Sequence, residues 1–183
     1  MKSLQGQLLI ASPQLTDPNF ARSVVLIVQH NEEGALGLIL NRPLEATMQD
    51  VWEQVSEEPC QTEASLHQGG PCEGPLMAVH AQESLGQMEV VPGIYFSTDR
   101  EAFEELVSRD RDDVKFFVGH SGWSPGQLEE ELESGAWLIA PAKAQHVFSE
   151  GETLWAKLRR AVSLLTSFPW LDPKLIPDDP TVN

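Results

Sequence analysis

Ser23-Val24-Val25-Leu26-Ile27-Val28 is the most telling segment of this chain. It is an unbroken apolar run rich in β-branched residues. Such a run suits a strand covered on both faces, because a strand with one wet face would alternate with polar residues. Upstream, Gln7 to Ala11 reads as a first strand, apolar from Leu8 onward and ended by Pro13 and the turn-forming Thr16-Asp17-Pro18-Asn19. Downstream, His30-Asn31-Glu32-Glu33-Gly34 predicts a turn and Leu36 to Leu40 a returning strand, so the two runs form a hairpin.

Beyond the hairpin, Asn41-Arg42-Pro43 leaves the strand. Thr47 can cap a helix from Met48 to about Val55, in which Met48, Val51, Trp52 and Val55 fall at helical spacing. Residues 56–65 are polar and acidic and read as a loop, and Gln68-Gly69-Gly70-Pro71 as a tight turn. Strands are expected over 76–81, 94–97, 114–118 and 137–140. Thr98-x-x-Glu101 and Ser124-Pro125-Gly126-Gln127 read as capping boxes, opening helices that end near Arg109 and Gly135. The longest helix is expected from Glu152 to about Phe168, with an extended proline-bearing tail after it. This order predicts one α/β (α+β) domain over 1–183: a mixed β-sheet with helices on both faces, with room for a small α/β subdomain after the first helix.

The chain has 183 residues, 12 Lys+Arg and 28 Asp+Glu, a formal charge of −16. Such a surface repels phosphate backbones, which argues against direct nucleic-acid binding and against anionic membranes. No apolar span reaches membrane length and no signal-peptide core opens the chain, so a cytoplasmic protein is expected. Cys60 and Cys72 fit neither a CxxC motif nor a zinc knuckle, and unpaired thiols are expected, a regulatory disulfide being the alternative. The histidines (His30, His67, His80, His120, His146) show no i, i+4 pair and no HExxH, so no metal and no cofactor is expected; His80, in a strand pattern, reads as a satisfied buried imidazole. Lys157, Arg159 and Arg160, and the run Glu129-Glu130-Glu131 with Glu133, read as solvated helix faces.

Two features carry chemistry. Gly119-His120-Ser121-Gly122-Trp123 stands between a strand and a helix start. It resembles a nucleophile elbow, but the bulky Trp123 stands where an elbow needs Gly. A structural turn is the plainer reading, and an anion docked at the following helix start is the stronger functional one. Arg22, Asn19 and Asn41 sit at strand ends, where open α/β sheets place their ligands; an arginine there commonly pairs instead with a carboxylate or strand-end carbonyls.

Leu4-Gln5-Gly6-Gln7-Leu8-Leu9-Ile10-Ala11, Asp17-Pro18-Asn19-Phe20-Ala21-Arg22-Ser23-Val24-Val25, His30-Asn31 with Gly34 to Pro43, Gly69-Gly70-Pro71, Gly119-His120-Ser121-Gly122-Trp123 with Pro125-Gly126-Gln127-Leu128-Glu129, and Asp179-Pro180-Thr181-Val182-Asn183 together resemble the AlgH/YqgE family of bacterial proteins. The likeness spans nearly the whole chain and the motifs fall in the family's order. It implies a compact cytoplasmic α/β domain of uncharacterised biochemistry, some members carrying the label of transcriptional regulator. The chain departs from the family's usual residues at His120, Ser121 and Cys72, which weighs against catalysis there.

The expectation is a non-enzymatic binding or regulatory protein with no catalytic residue. Its polar cleft, for a small anion, a peptide or a protein partner, is expected to be lined by Asn19, Arg22, Asn41, Gly69, Gly70, Gly119, His120, Ser121, Gly122, Trp123 and Gln127. The alternatives are a serine-dependent hydrolase using Ser121 and a transcriptional regulator acting through a protein partner.

Overall fold

The computed structural model describes residues 2–149 and 153–175. In chain order these residues form β1 (Gln7–Ala11), β2 (Val24–Asn31), β3 (Gly34–Ile39), β4 (Pro43–Thr47), α1 (Met48–Val55), β5 (Ser65–Gln68), β6 (Met77–His80), β7 (Met88–Val91), β8 (Ile94–Ser97), α2 (Arg100–Leu106), β9 (Val114–Val118), β10 (Ser121–Trp123), α3 (Gln127–Glu133), β11 (Trp137–Pro141), α4 (Ala144–Val147) and α5 (Leu154–Ser167). The strands divide between two sheets. One is antiparallel throughout, in the order β10-β3-β2-β1-β11. The other, β4-β5-β9-β6-β8-β7, is mixed through its parallel β5–β9 pair. The fold is therefore α+β with a mixed sheet and flanking helices, as the sequence predicts, its strands shared between two layers.

The apolar run over β2 has the two-sided cover its composition requires. Val24, Leu26 and Val28 face the second sheet, against Met77, Val79 and Phe117, with Leu154 and Leu158 of α5 closing the side. Val25 and Ile27 face the other way, onto Trp123, Leu128 of α3 and Trp137. The outer face of the second sheet is covered by Met48 and Trp52 of α1 and by Phe103 and Leu106 of α2.

Several local expectations are corrected. His30 and Asn31 continue β2, so the hairpin turns on Glu32-Glu33 alone, with Asn31 paired to Gly34. Residues 43–47 and 65–68 are strands that pair with each other, and 88–91 is a further strand on β8. None of the three carries a long apolar pattern, and partner strands supply their order. The box at Thr47 is present, with the Asp50 N–H donating to Thr47 Oγ1 and the Thr47 N–H to Asp50 Oδ2. The box at Thr98 is not: Asp99 caps α2 by accepting from the Ala102 N–H, and Thr98 instead binds Gln87. The C-terminal motif at 179–183 lies outside the described residues.

Candidate functional site

The expected cleft residues resolve into two groups at neighbouring strand ends. The first is a doubled glycine corner. Gly69 follows β5, and its N–H donates to the Val118 carbonyl at 2.9 Å. The Gly69 carbonyl accepts from the Ile39 N–H at 2.9 Å and from the Ser121 hydroxyl at 3.0 Å. Cys72 and His120 exchange two backbone hydrogen bonds of 2.9 Å, drawing the second corner onto the first.

The approach is too close for side chains. A Cβ on Gly69 would stand 2.3 Å from the Gly119 oxygen. At Gly70, where φ is +156°, it would stand 2.3 Å from the His120 carbonyl. The corners that the sequence separates by some fifty positions do meet, but backbone to backbone. Ser121 is fully buried in β10 with its proton on a carbonyl, so the strand–Ser–helix context makes no exposed elbow.

The anion-binding helix start read at Pro125 is also corrected. Helix α3 begins at Gln127 with Gly126 before it and no side-chain cap, and Glu129 and Glu130 occupy its first turn. Gln127 makes half of the expected box: its Oε1 accepts from the Ser124 N–H, while its Nε2 donates to Glu131. Glu131 also accepts from the Trp123 and Trp137 indoles, at 2.9 and 2.8 Å, so it is a structural acceptor and no mere solvated charge. Glu129 binds His30 Nε2 at 2.9 Å, while Nδ1 of that ring accepts from the Leu4 N–H. His80 is fully buried, with Nδ1 accepting from the Gln82 N–H and Nε2 at 2.9 Å from Ser97 Oγ. Burial keeps its pKa below the ordinary value. His67 is held down to about 4, first by burial and then by the neighbouring Lys115 charge. Cys60 and Cys72 are free thiols, and burial raises the pKa of Cys60.

The second group is built on the turn before β2. Asp17 Oδ1 accepts from the Asn19 N–H, and the Asp17 carbonyl accepts from the Phe20 and Ala21 N–H groups. Phe20 then packs on Trp123 and Trp137. Asn41, just past β3, clips the far end of the turn. Its Oδ1 accepts from the Val24 N–H and its Nδ2 donates to the Arg22 carbonyl, both at 2.9 Å. Arg42 reaches the same turn, donating to the Pro18 and Ala21 carbonyls at 3.2 and 3.0 Å. The carbonyl role expected for a strand-end arginine thus falls to Arg42. The Arg42 carbonyl accepts from the Gln68 N–H, so this residue also links the turn to the glycine corner.

Arg22 is left with a different role. Its φ is +58°, the left-handed region, which it occupies alone among the described non-glycine residues. That conformation costs about 1–2 kcal/mol for a side-chain-bearing residue. Arg22 is exposed, and its guanidinium lies 5.9 Å from the centroid of the Trp155 ring. Among the described residues no carboxylate stands within 4.0 Å of it. Sequence reasoning found Arg22 and Asn41 but not Trp155 and Arg159, although their i, i+4 spacing on one helix was a usable signal.

An antiparallel sheet and a mixed sheet packed together with flanking helices, with a tied turn and a doubled glycine corner at neighbouring strand ends, define an α+β protein. The profile of the AlgH-like family, DUF179, matches residues 8–165, and the chain belongs to this family. It is 39% identical over 163 residues to the UPF0301 protein CT0663 of Chlorobaculum tepidum, covering 85% of each chain. A UPF0301 protein of Streptomyces avermitilis is 34% identical, covering 100% of this chain and 97% of the other. The solution structure of the AlgH protein from Pseudomonas aeruginosa is similar, with a TM-score of 0.70 and 32% identity, covering 91% of this chain and 97% of that one. The crystal structure of protein DIP2367 from Corynebacterium diphtheriae gives a TM-score of 0.69 at 29% identity, covering 87% of each. No helix among the described residues is long and apolar enough to cross a membrane.

Proposed function

We propose that this protein is a non-enzymatic binding module of the AlgH type, recognising a negatively charged group through Arg22. The group belongs to a small anion, a peptide or a protein partner, and any regulatory effect runs through that contact. The observation that carries the reading is the clipped Arg22. Asn41 and Arg42 hold the turn so that a strained arginine faces solvent, with its charge unspent on any described carboxylate. Strain maintained by surrounding bonds is a reason to look for a role beyond packing. Binding is favoured over hydrolysis because the Ser121 hydroxyl is buried and donates to a carbonyl, with no described base against it.

The test is a thermal-shift screen of small anions and acidic peptides at constant ionic strength, run on the wild type and on Arg22→Ala. At least one anion class is expected to raise Tm in the wild type and not in the variant. Equal responses from the two proteins, or none from either, refute the reading.

A further inference from the structure

We infer that Arg22, Trp155 and Arg159 form a binding site for a dianionic phosphoryl group, an inference that rests on the anion-binding reading above and names its ligand class. Trp155 is fixed from both ends. Its indole N–H donates to the Ala11 carbonyl at 2.8 Å, and its ring borders two of the apolar clusters. On that ring stand two guanidinium groups, Arg22 at 5.9 Å and Arg159 at 5.2 Å from the centroid. They come from unrelated parts of the chain, a turn before β2 and the second turn of α5.

Charge makes the pairing informative. The chain carries 28 acidic residues against 12 basic ones, yet neither of these arginines has a described carboxylate within 4.0 Å. The exposed Arg100 and Arg109, by contrast, each pair with a glutamate one helical turn away. Arg159 Nε is buried with no described hydrogen-bond partner. Helix α5 adds Lys157 and Arg160 and contributes no acidic residue.

Two guanidinium charges held against one indole repel each other, and an anion that reaches both removes that cost. The indole faces attract and orient guanidinium groups, and planar guanidinium forks match the oxygens of a phosphoryl group in pairs. A monocarboxylate has one charge and two oxygens, enough for one fork. A phosphoryl group near neutral pH has about two charges and three free oxygens, enough for both. The site therefore prefers phosphoryl to carboxylate, and Arg159 is the residue that sets the preference.

The experiment is a set of NMR titrations at fixed ionic strength with inorganic phosphate, phenyl phosphate and acetate, on the wild type, Arg22→Gln, Arg159→Gln and Trp155→Phe. Unchanged Tm values verify folding of the arginine variants. Phosphate or its ester is expected to bind at least tenfold more tightly than acetate, the tighter of the two showing whether free phosphate or an ester is the source. Arg159→Gln is expected to lose that preference while keeping its acetate affinity, and Arg22→Gln to lose both. Wild-type phosphate affinity in Arg159→Gln, with loss confined to Arg22→Gln, overturns this inference and leaves the anion reading standing. Absence of anion binding in the wild type, or an Arg22→Gln variant that binds as well, overturns both. Trp155→Phe keeps a ring but loses the bond to Ala11, and is expected to weaken phosphate severalfold; an unchanged affinity removes the platform from the account.

Discussion

The doubled glycine corner and the clipped turn at Arg22 lie at neighbouring strand ends, joined by Arg42, yet they dispose of their polar groups in opposite ways. At the corner the Gly69 carbonyl receives two donors, the Gly70 carbonyl receives Gln68, and His120 and Cys72 pair through their backbones. At the turn the same economy holds for the backbone, through Asn41 and Arg42, but the exposed Arg22 guanidinium meets only the Trp155 ring and no described carboxylate. A conspicuous motif can thus be wholly consumed in holding the chain together. Its quieter neighbour leaves a charged side chain exposed.

That contrast breaks first, and most severely, at Gly70. Replacing it by Ala places a Cβ 2.3 Å from the His120 carbonyl at a positive φ, with backbone on the facing side and nothing soft to yield. A loss of about 4 kcal/mol or more is expected, or failure to fold, read by urea unfolding. Retained wild-type stability contradicts the account of a sealed corner.

His67, on the strand leading into that corner, gives the next effect. Its folded pKa of about 4 lies below the ordinary 6.5, so the folded state takes up its proton later than the unfolded chain. The stabilisation is fully present above pH 6.5 and is lost as pH falls from 6.5 toward 4, on the order of 3 kcal/mol. The imidazole resonances of His67 are expected to titrate near pH 4, and His67→Gln to flatten stability across that window.

Asn41→Ala tests the turn itself. It removes bonds to the Val24 N–H and the Arg22 carbonyl, so about 2 kcal/mol of stability should go, together with most of the anion affinity. Arg22→Gly is the smallest and sharpest change. Relief of left-handed strain, about 1–2 kcal/mol, offsets the ~0.5–1 kcal/mol entropic cost of glycine, leaving a net gain of about 0–1.5 kcal/mol. Binding is lost in the same variant. Opposite signs for stability and affinity at one position mark a residue retained for a ligand.

The fold was legible wherever apolar pattern decides it: β1, β2, β9, α1 and α5 stand within a few residues of their expected bounds. Strands β4, β5 and β7 were not legible, because Pro-Leu-Glu-Ala-Thr or Ser-Leu-His-Gln becomes a strand only when a partner is beside it. The division into two sheets was hidden for the same reason, since pairing is a long-range property. Of the site, the meeting of the glycine corners was anticipated, but not that backbone would fill the space between them. Glycines announce close approach without saying whether a ligand or another strand approaches. Arg22 was visible by its strand-end position, while its left-handed backbone was not, because the turn that holds it is tied by contacts as distant as Asn41, nineteen residues away. Trp155 and Arg159 were read as core stripe and solvated face, the bland readings that helical periodicity alone supplies.

The most direct measurement follows the guanidinium Nε–H resonances of Arg22 and Arg159 during a phosphate titration at constant ionic strength. Arg100 and Arg109, already ion-paired, serve as internal references. Arg22 and Arg159 are expected to shift together to saturation with one Kd while the references drift little. Unsaturating drifts of similar size at all four arginines would contradict it.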